Sequence, residues 1–329
     1  MRVILCRRLG RLWRKKGGGY YNAAKLYVKY LQEIPEIELE SMSVRDPQDL
    51  QGLKAPDLLW VFGFPTDSSP FIEAAKGWGC PVLINSEYNG SLRRNKRILK
   101  WWAKKKSDRE VFLSVFSNSA FYNPALVHLR PRIVTIPHPF AQHQDTRPGF
   151  DDRTGICVGD IGKLSEKHRT SVDPVGVIER LDAKGIPVIG YNQYRVYREL
   201  PSELTTVPYL HGGFLKSLAG YRLFLNFVRH ETFGMVPMEA MSAGTPTLYP
   251  HMPQSLSEYI GPAGLCYRNA DDIIRLAEDF YHDPVLWEGM SKAGRLTARA
   301  NQHLVGPLLL RAFRQVCEEY KKPCDTPTG

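Results

Sequence analysis

The stretch NFVRHETFGMVPMEAMSAGTP, Asn226 to Pro246, decides how the rest of the chain is read. It overlaps a short apolar and aromatic run, Tyr221 to Val228 (YRLFLNFV), which suits a buried strand. A polar turn follows, Arg229-His230-Glu231-Thr232. Phe233-Gly234 then leads into a helix expected from Met235 to Ala243. Pro237 falls in its first turn, where a missing N–H costs least. Gly244 stands where a left-handed cap wants glycine, and Pro246 lies two residues beyond. The order is strand, tight turn, helix. In open α/β sheets a helix start beyond the carboxyl end of a strand is where phosphorylated ligands bind. Its free N–H groups and positive dipole end favour an anion.

Two carboxylates frame that helix start, Glu231 on the turn and Glu239 inside the helix. By themselves they read as solvated helix-end glutamates. Placed on either side of a phosphate cradle, they can instead accept hydrogen bonds from sugar hydroxyls. Glu231 would then hold a hexose and Glu239 a ribose. Phe233 and the backbone of Gly234, Met235 and Val236 would lie on the pyrophosphate between them. The pattern ETFG…EAMSAG-P between a strand and a helix resembles the donor-site signature of retaining GT-B glycosyltransferases of family 4. That resemblance is specific over residues 221–267, moderate at 155–169 and weak in the first half.

The chain has 329 residues, which suggests two domains at about 150 residues each. An apolar fraction of 43% is that of a water-soluble globular protein. The opening MRVILCRRLGRL has too short an apolar core for a signal peptide, and no later run is long enough to span a bilayer. The six cysteines, Cys6, Cys80, Cys157, Cys266, Cys317 and Cys324, are scattered, and no close pair suggests a metal site. A reduced, cytosolic protein with structural thiols is expected. The net charge of +10 is uneven: residues 1–142 hold 23 Lys and Arg against 12 Asp and Glu. The remainder is nearly balanced, with 21 basic against 22 acidic residues. The first half therefore favours an anionic partner, whether membrane surface, nucleic acid or charged acceptor, unless it is simply a solvated basic face.

Arg2 to Cys6 reads as a first strand. A basic loop leads to Gly17-Gly18-Gly19 and an amphipathic helix from about Tyr21 to Leu31. Without a spaced dinucleotide fingerprint this opening is a weak nucleotide signal. The resemblance places Gly18 and Gly19 against the donor phosphates, and glycine lets backbone come close. Pro56 to Gly63 and Pro81 to Asn85 read as further strands, with a short helix, Phe71 to Gly77, between them. Relatives carry a histidine near the tip that follows. This chain has Glu87 and Tyr88 there, which become the acceptor-side candidates. Residues 93–109 lie in the most basic segment, with Trp101 and Trp102 among the cations. That mixture suits an interfacial membrane helix, a nucleic-acid contact, or a helix whose tryptophans pack on its own domain. Val111 to Ser117 and Arg132 to Pro137 complete a first sheet, and Pro139 to Gly149 reads as a linker.

The second domain opens at Gly155 to Gly159 (GICVG). Relatives carry an arginine next and a lysine further on, both clamping the donor diphosphate. Here Asp160 takes the arginine's place, and Lys163, Lys167 and Arg169 follow. Cations are required on a leaving diphosphate, and Lys167, after Glu166, best matches the family's Glu-Lys pair. A helix over Pro174 to Lys184 precedes strand ends at Tyr191 and Tyr209, where relatives hold the base largely through backbone. Gly261 to Tyr267 is a last strand. Asp271 to Ala300 reads as helical, and a final helix is expected from about Leu304 to Tyr320.

The resemblance implies a GT-B fold: two Rossmann-like α/β/α domains with parallel sheets facing across a cleft. The boundaries are 1–142 on the acceptor side, 143–305 on the donor side, and 306–329 as a helix crossing back. It implies a cytoplasmic or membrane-peripheral enzyme that moves a hexose from a nucleotide sugar with retention of configuration. The nucleotide sugar is a co-substrate; no cofactor and no metal are called for. The alternatives are a nucleic-acid-modifying glycosyltransferase and a non-catalytic protein that binds nucleotide sugar or nucleic acid.

Overall fold

The structure, a computed structural model, describes residues 1–8, 19–44, 47–62, 69–85, 108–116, 132–143, 148–165, 170–192, 196, 199–208, 213–229, 234–251 and 255–322. The chain divides into two compact units, Met1–Pro139 with His303–Gly329, and Phe140–Gln302. Each has its own six-stranded sheet in which every pairing is parallel.

The first unit begins with β1 (Arg2–Arg8), α1 (Gly19–Gln32), β2 (Glu38–Val44) and a 3-10 turn at Pro47–Leu50. It continues with β3 (Leu58–Phe62), α2 (Ser69–Trp78), β4 (Val82–Asn85), β5 (Val111–Val115) and β6 (Ile133–Thr135). The sheet order is β2-β1-β3-β4-β5-β6. Strands covered on both faces have no reason to alternate polar and apolar residues, and all five residues of β3, LLWVF, are buried. Helix α1 buries Ala23, Ala24, Tyr27 and Leu31, a three-and-four spacing that makes one apolar face. The Tyr27 hydroxyl donates to Pro137 O at 2.8 Å. Its ring meets Trp60 and Phe62 edge-on, at 5.0 and 5.5 Å between centroids. His138 stacks on Phe116 at 4.1 Å, and burial pushes its imidazole down to about 3, so it is a neutral ring of this aromatic core.

The second unit runs β7 (Ile156–Asp160), α3 (Ile161–Leu164), α4 (Pro174–Asp182), β8 (Val188–Asn192), β9 (Leu204–Pro208), α5 (Phe214–Leu218) and β10 (Leu223–Leu225). Then come α6 (Met235–Ser242), β11 (Thr247–Pro250), α7 (Ser255–Ile260), a 3-10 turn at Gly261–Ala263, β12 (Leu265–Tyr267), α8 (Ala270–His282) and α9 (Pro284–Lys321). The order β12-β11-β10-β7-β8-β9 is that of a doubly wound dinucleotide-type sheet. One face packs Ile156, Val188, Leu223, Leu225 and Phe227 against α4 and α8. The other packs Cys157, Tyr191 and Phe224 against α5 and α6. The α8 helix is started by Asn269, whose side chain accepts from Asp272 N at 2.9 Å, an ordinary N-cap.

Several elements differ from the reading of the sequence. Strand β2 (ELESMSV) has no apolar run because it is the sheet's half-exposed edge. Residues 284–321 form one helix where two are expected, and the break comes earlier, at Asp283 and Pro284. Asp283 accepts from Val285 N and Leu286 N, both at 2.9 Å, and so starts the long helix. Pro307 lies inside it, where it removes one backbone bond without ending the helix. From His303 onward α9 belongs to the first unit, and Phe313 meets Trp60 edge-on at 5.2 Å. Phe140 and His143, in the stretch read as a linker, are buried in the second unit.

The carboxyl end of α6 is fastened by a buried guanidinium. Arg153 is almost wholly enclosed. It donates to Ala243 O at 3.0 Å, to Thr245 Oγ1 at 2.8 Å, to Tyr221 O at 3.3 Å and to Pro148 O at 3.1 Å. Its carbon lies 4.8 Å from the centre of the Trp287 ring, within cation–π range. Replacing it strips donors from carbonyls that water does not reach. Arg153→Met is expected to lower the unfolding free energy by about 3 kcal/mol in urea titrations followed by tryptophan fluorescence. A loss under about 0.5 kcal/mol, the level of a neutral surface change, would show that the clamp is dispensable.

Candidate functional site

The order of the second sheet reverses between β7 and β10, the neighbouring strands from which the chain winds outward in both directions. Ligands of such sheets bind beyond the carboxyl ends of the strands at that reversal. Here those ends are Asp160 and Leu225.

Three features shape the site. Helix α6 starts at Gly234, which has φ +80°, and no side chain among the described residues caps it. Its first turn carries no acidic residue. Pro237 has no N–H to offer, so Met235 and Val236 supply the outward N–H groups. A side chain at Gly234 is excluded twice. The left-handed φ disfavours it, and a Cβ would come within 2.1 Å of Leu256 Cδ2. At the other end of α6, Gly244 has φ +74°, and Ser291 Oγ donates to its carbonyl at 2.7 Å. Arg295 Nη1 in turn donates to Ser291 Oγ at 2.6 Å. With Arg153, two cations thus stand at the negative end of the helix dipole, leaving the positive end directed at the strand termini.

Asp160, in the arginine's place, proves to be a cap. It accepts from Gly162 N at 3.0 Å and starts the single turn of α3. Lys163 lies in that turn, half-buried. The chain after α3 and the chain after β10 are stitched together. Thr170 and Val228 form an antiparallel bridge. Ser171 N donates to Phe227 O at 3.0 Å, and Tyr267 OH donates to Asn226 O at 2.8 Å. Thr170 directly follows Arg169, and Val228 is three residues ahead of Glu231.

Glu239 lies on α6, with only part of its side chain exposed. Burial pushes its carboxyl up to about 7, and the backbone N–H of Ala141 pulls the other way. A ligand hydroxyl donating to this group would favour its charged form. Tyr191 ends near the tip of β8, but its side chain is inside. Its hydroxyl donates to Tyr221 OH at 2.9 Å and shares a 2.6 Å bond with Ser217 Oγ. Gly19 is the first residue of α1, in the first unit. Gly18, Glu87, Tyr88, Lys167, Arg169, Tyr209, Glu231 and Phe233 lie outside the described residues, as does most of the basic segment 93–109. Among the described residues, no three His, Cys, Asp or Glu side chains are grouped as metal ligands, and no helix is long and apolar enough to cross a membrane.

No protein-family model matches the chain, and no curated protein matches it by sequence. Solved structures do match by fold. The sucrose-phosphate synthase of Thermosynechococcus elongatus superposes with a TM-score of 0.66 at 12% identity, over 95% of this chain and 98% of that one. Anabaena HepE in complex with UDP and glucose gives 0.62 at 12%, over 95% and 99%. S. aureus TarM, in a complex that includes UDP, gives 0.62 at 16%, over 81% of this chain and 58% of TarM. The chain thus spans little more than half the length of TarM. The fold is GT-B, the architecture of these glycosyltransferases.

Gly234→Ala is expected to abolish nucleoside diphosphate binding, because Leu256 or the helix start must move. Adding Leu256→Ala should recover part of it, leaving only a left-handed alanine at about 1 kcal/mol. Thermal shifts with UDP, GDP and ADP check this. A single variant that binds as the wild type does would mean that the start of α6 is not the anion site.

Proposed function

We propose that the chain is a glycosyltransferase that moves a hexose from a nucleotide sugar to an acceptor with retention of configuration. The observation that carries this reading is the start of α6 at the strand reversal of a GT-B fold, with no carboxylate in its first turn and no capping side chain among the described residues. The diphosphate would take the N–H groups of Met235 and Val236, with Lys163, Lys167 and Arg169 as its cations. Glu231 would hold the sugar hydroxyls and Glu239 the ribose. As the bond from the anomeric carbon to the diphosphate breaks, the helix dipole and the cations stabilise the departing charge. The acceptor oxygen bonds to the same face of that carbon, and its proton passes to the leaving phosphate. No metal is needed where backbone and lysines do this work. HepE's complexes with UDP and UDP-glucose make uridine donors the first to test.

The acceptor, or the surface that carries it, is anionic in this reading, because the charge excess lies in residues 1–142. A membrane surface is preferred to nucleic acid, since Trp101 and Trp102 sit among cations as in interfacial helices. Anionic lipid attracts such a segment by about 1 kcal/mol per cation.

Two measurements test these points. Glu231→Ala should cut release of nucleoside diphosphate from the accepted donor tenfold to a hundredfold or more, for a loss of about 1.5–3 kcal/mol. EDTA should leave the wild-type rate unchanged. Full turnover by the variant, or a rate that needs added magnesium, would overturn the assigned roles. Replacing Lys104, Lys105 and Lys106 with glutamate should release the protein from anionic vesicles in co-sedimentation and leave donor affinity alone. Binding to DNA but not to vesicles would move the acceptor to nucleic acid.

A further inference from the structure

The run YRLFLNFV contains one carboxamide side chain, that of Asn226, which the site as described does not use. Asn226 follows the last residue of β10 and is only 4% exposed. Its backbone is fully engaged: its N–H donates to Leu248 O at 2.9 Å, and its carbonyl accepts from Tyr267 OH at 2.8 Å. Its side-chain oxygen accepts from Val228 N at 3.2 Å, which settles which end of the amide is nitrogen. That nitrogen, Nδ2, is buried and has no hydrogen-bond partner among the described residues. A buried amide left without a partner is costly, and such a group calls for an explanation.

Its position supplies one. Side chains along β10 alternate between the two faces of the sheet. Leu223 and Leu225 pack on the α4 and α8 face, and so does Phe227. Phe224 packs on the α6 face with Ala240 and Ala243. The alternation therefore puts Asn226 on the α6 face, one step nearer the strand end than Phe224 and toward the open start of that helix. The adjacent strand β7 has Gly159 beside Phe224. It has φ +75°, and a Cβ there would meet only that ring, at 3.6 Å. An amide nitrogen can only donate, so its partner must present an acceptor oxygen. At a helix start whose first turn carries no carboxylate, an anionic oxygen is favoured.

We infer that Asn226 is a ligand-binding residue whose Nδ2 donates to an oxygen of the donor's diphosphate when the nucleotide sugar seats against α6. This rests on the donor-site reading above and adds to it a side chain from the strand itself. The backbone N–H groups of α6 would hold the diphosphate from one side and Asn226 from beneath.

The test is titration calorimetry of wild type, Asn226→Leu and Asn226→Asp with UDP, ADP and GDP, beside the nucleoside matching whichever of them binds. Leucine removes the unpartnered amide at similar volume, so the ligand-free protein should melt within a few degrees of wild type. Its affinity for the diphosphate should fall about tenfold and its affinity for the nucleoside should not change. Aspartate should bind the diphosphate more weakly still. Equal diphosphate affinity in wild type and the leucine variant would overturn the assignment of Asn226 alone, as would an equal loss for diphosphate and nucleoside. A wild type that binds none of the three diphosphates would overturn the donor site and this residue with it. Should the leucine variant fail to fold, Asn226→Ser, smaller than the amide it replaces, is read in the same way.

Discussion

A guanidinium enclosed beneath the end of one helix fixes where the other end of that helix points. Arg153 joins the carbonyl of Ala243 to the carbonyl of Tyr221 and the hydroxyl of Thr245, so the exit of α6, the entry to β10 and the approach to β11 share one donor. Thr245 passes the constraint on through a 2.7 Å bond to Leu218 O at the end of α5. An eight-residue helix has little stability of its own and is held by such contacts and by Met238, Ala240 and Met241 in the core. Because the anchoring lies at the carboxyl end, the amino end can stay uncapped. The charge arrangement has the same sense, with cations at the negative pole and an open positive pole.

Much of this was legible in the sequence where the constraint is local. A parallel strand covered on both sides appears as an unbroken apolar run, so LLWVF, VLIN and ICVG announce themselves. Gly234 and Gly244 bracket a helix, and both have the positive φ that makes glycine necessary there. What could not be read depends on partners far along the chain. Arg153 and Ala243 are 90 residues apart, and nothing near Arg153 marks it as a helix anchor. Asp160 looks like a lost cation until α3 is seen to start on it. Asn226 did carry a signal, one amide inside an apolar strand, but its meaning depends on which face it occupies.

Glu239 shows how local chemistry and fold interact. The residue sits in a helix whose surroundings resist its charge, although the positive pole of the same helix lies little more than one turn earlier. Burial and dipole act on different groups, and the two need not agree. The Ala141 N–H moderates the first without removing it. Ser242, on the same helix, accepts from His143 N at 3.3 Å and donates to Glu239 O at 2.8 Å. The opening residues of the second unit are thus tied to the helix that carries Glu239.

The long helix α9 bears on how the chain is assembled during synthesis. The first unit is discontinuous in sequence, since its sheet ends with β6 and its remaining helical segment arrives only after the whole second unit. Trp60, fully buried, has Phe313 as one of its ring neighbours, and Arg109 donates to Tyr320 O at 2.6 Å. On the ribosome, where domains otherwise complete themselves from the amino end, the unit made first finishes last. Its aromatic core stays uncovered on that side while the more than 150 residues of the intervening unit emerge and fold, so the interval of greatest exposure is set by the order of the chain rather than by the strength of the core.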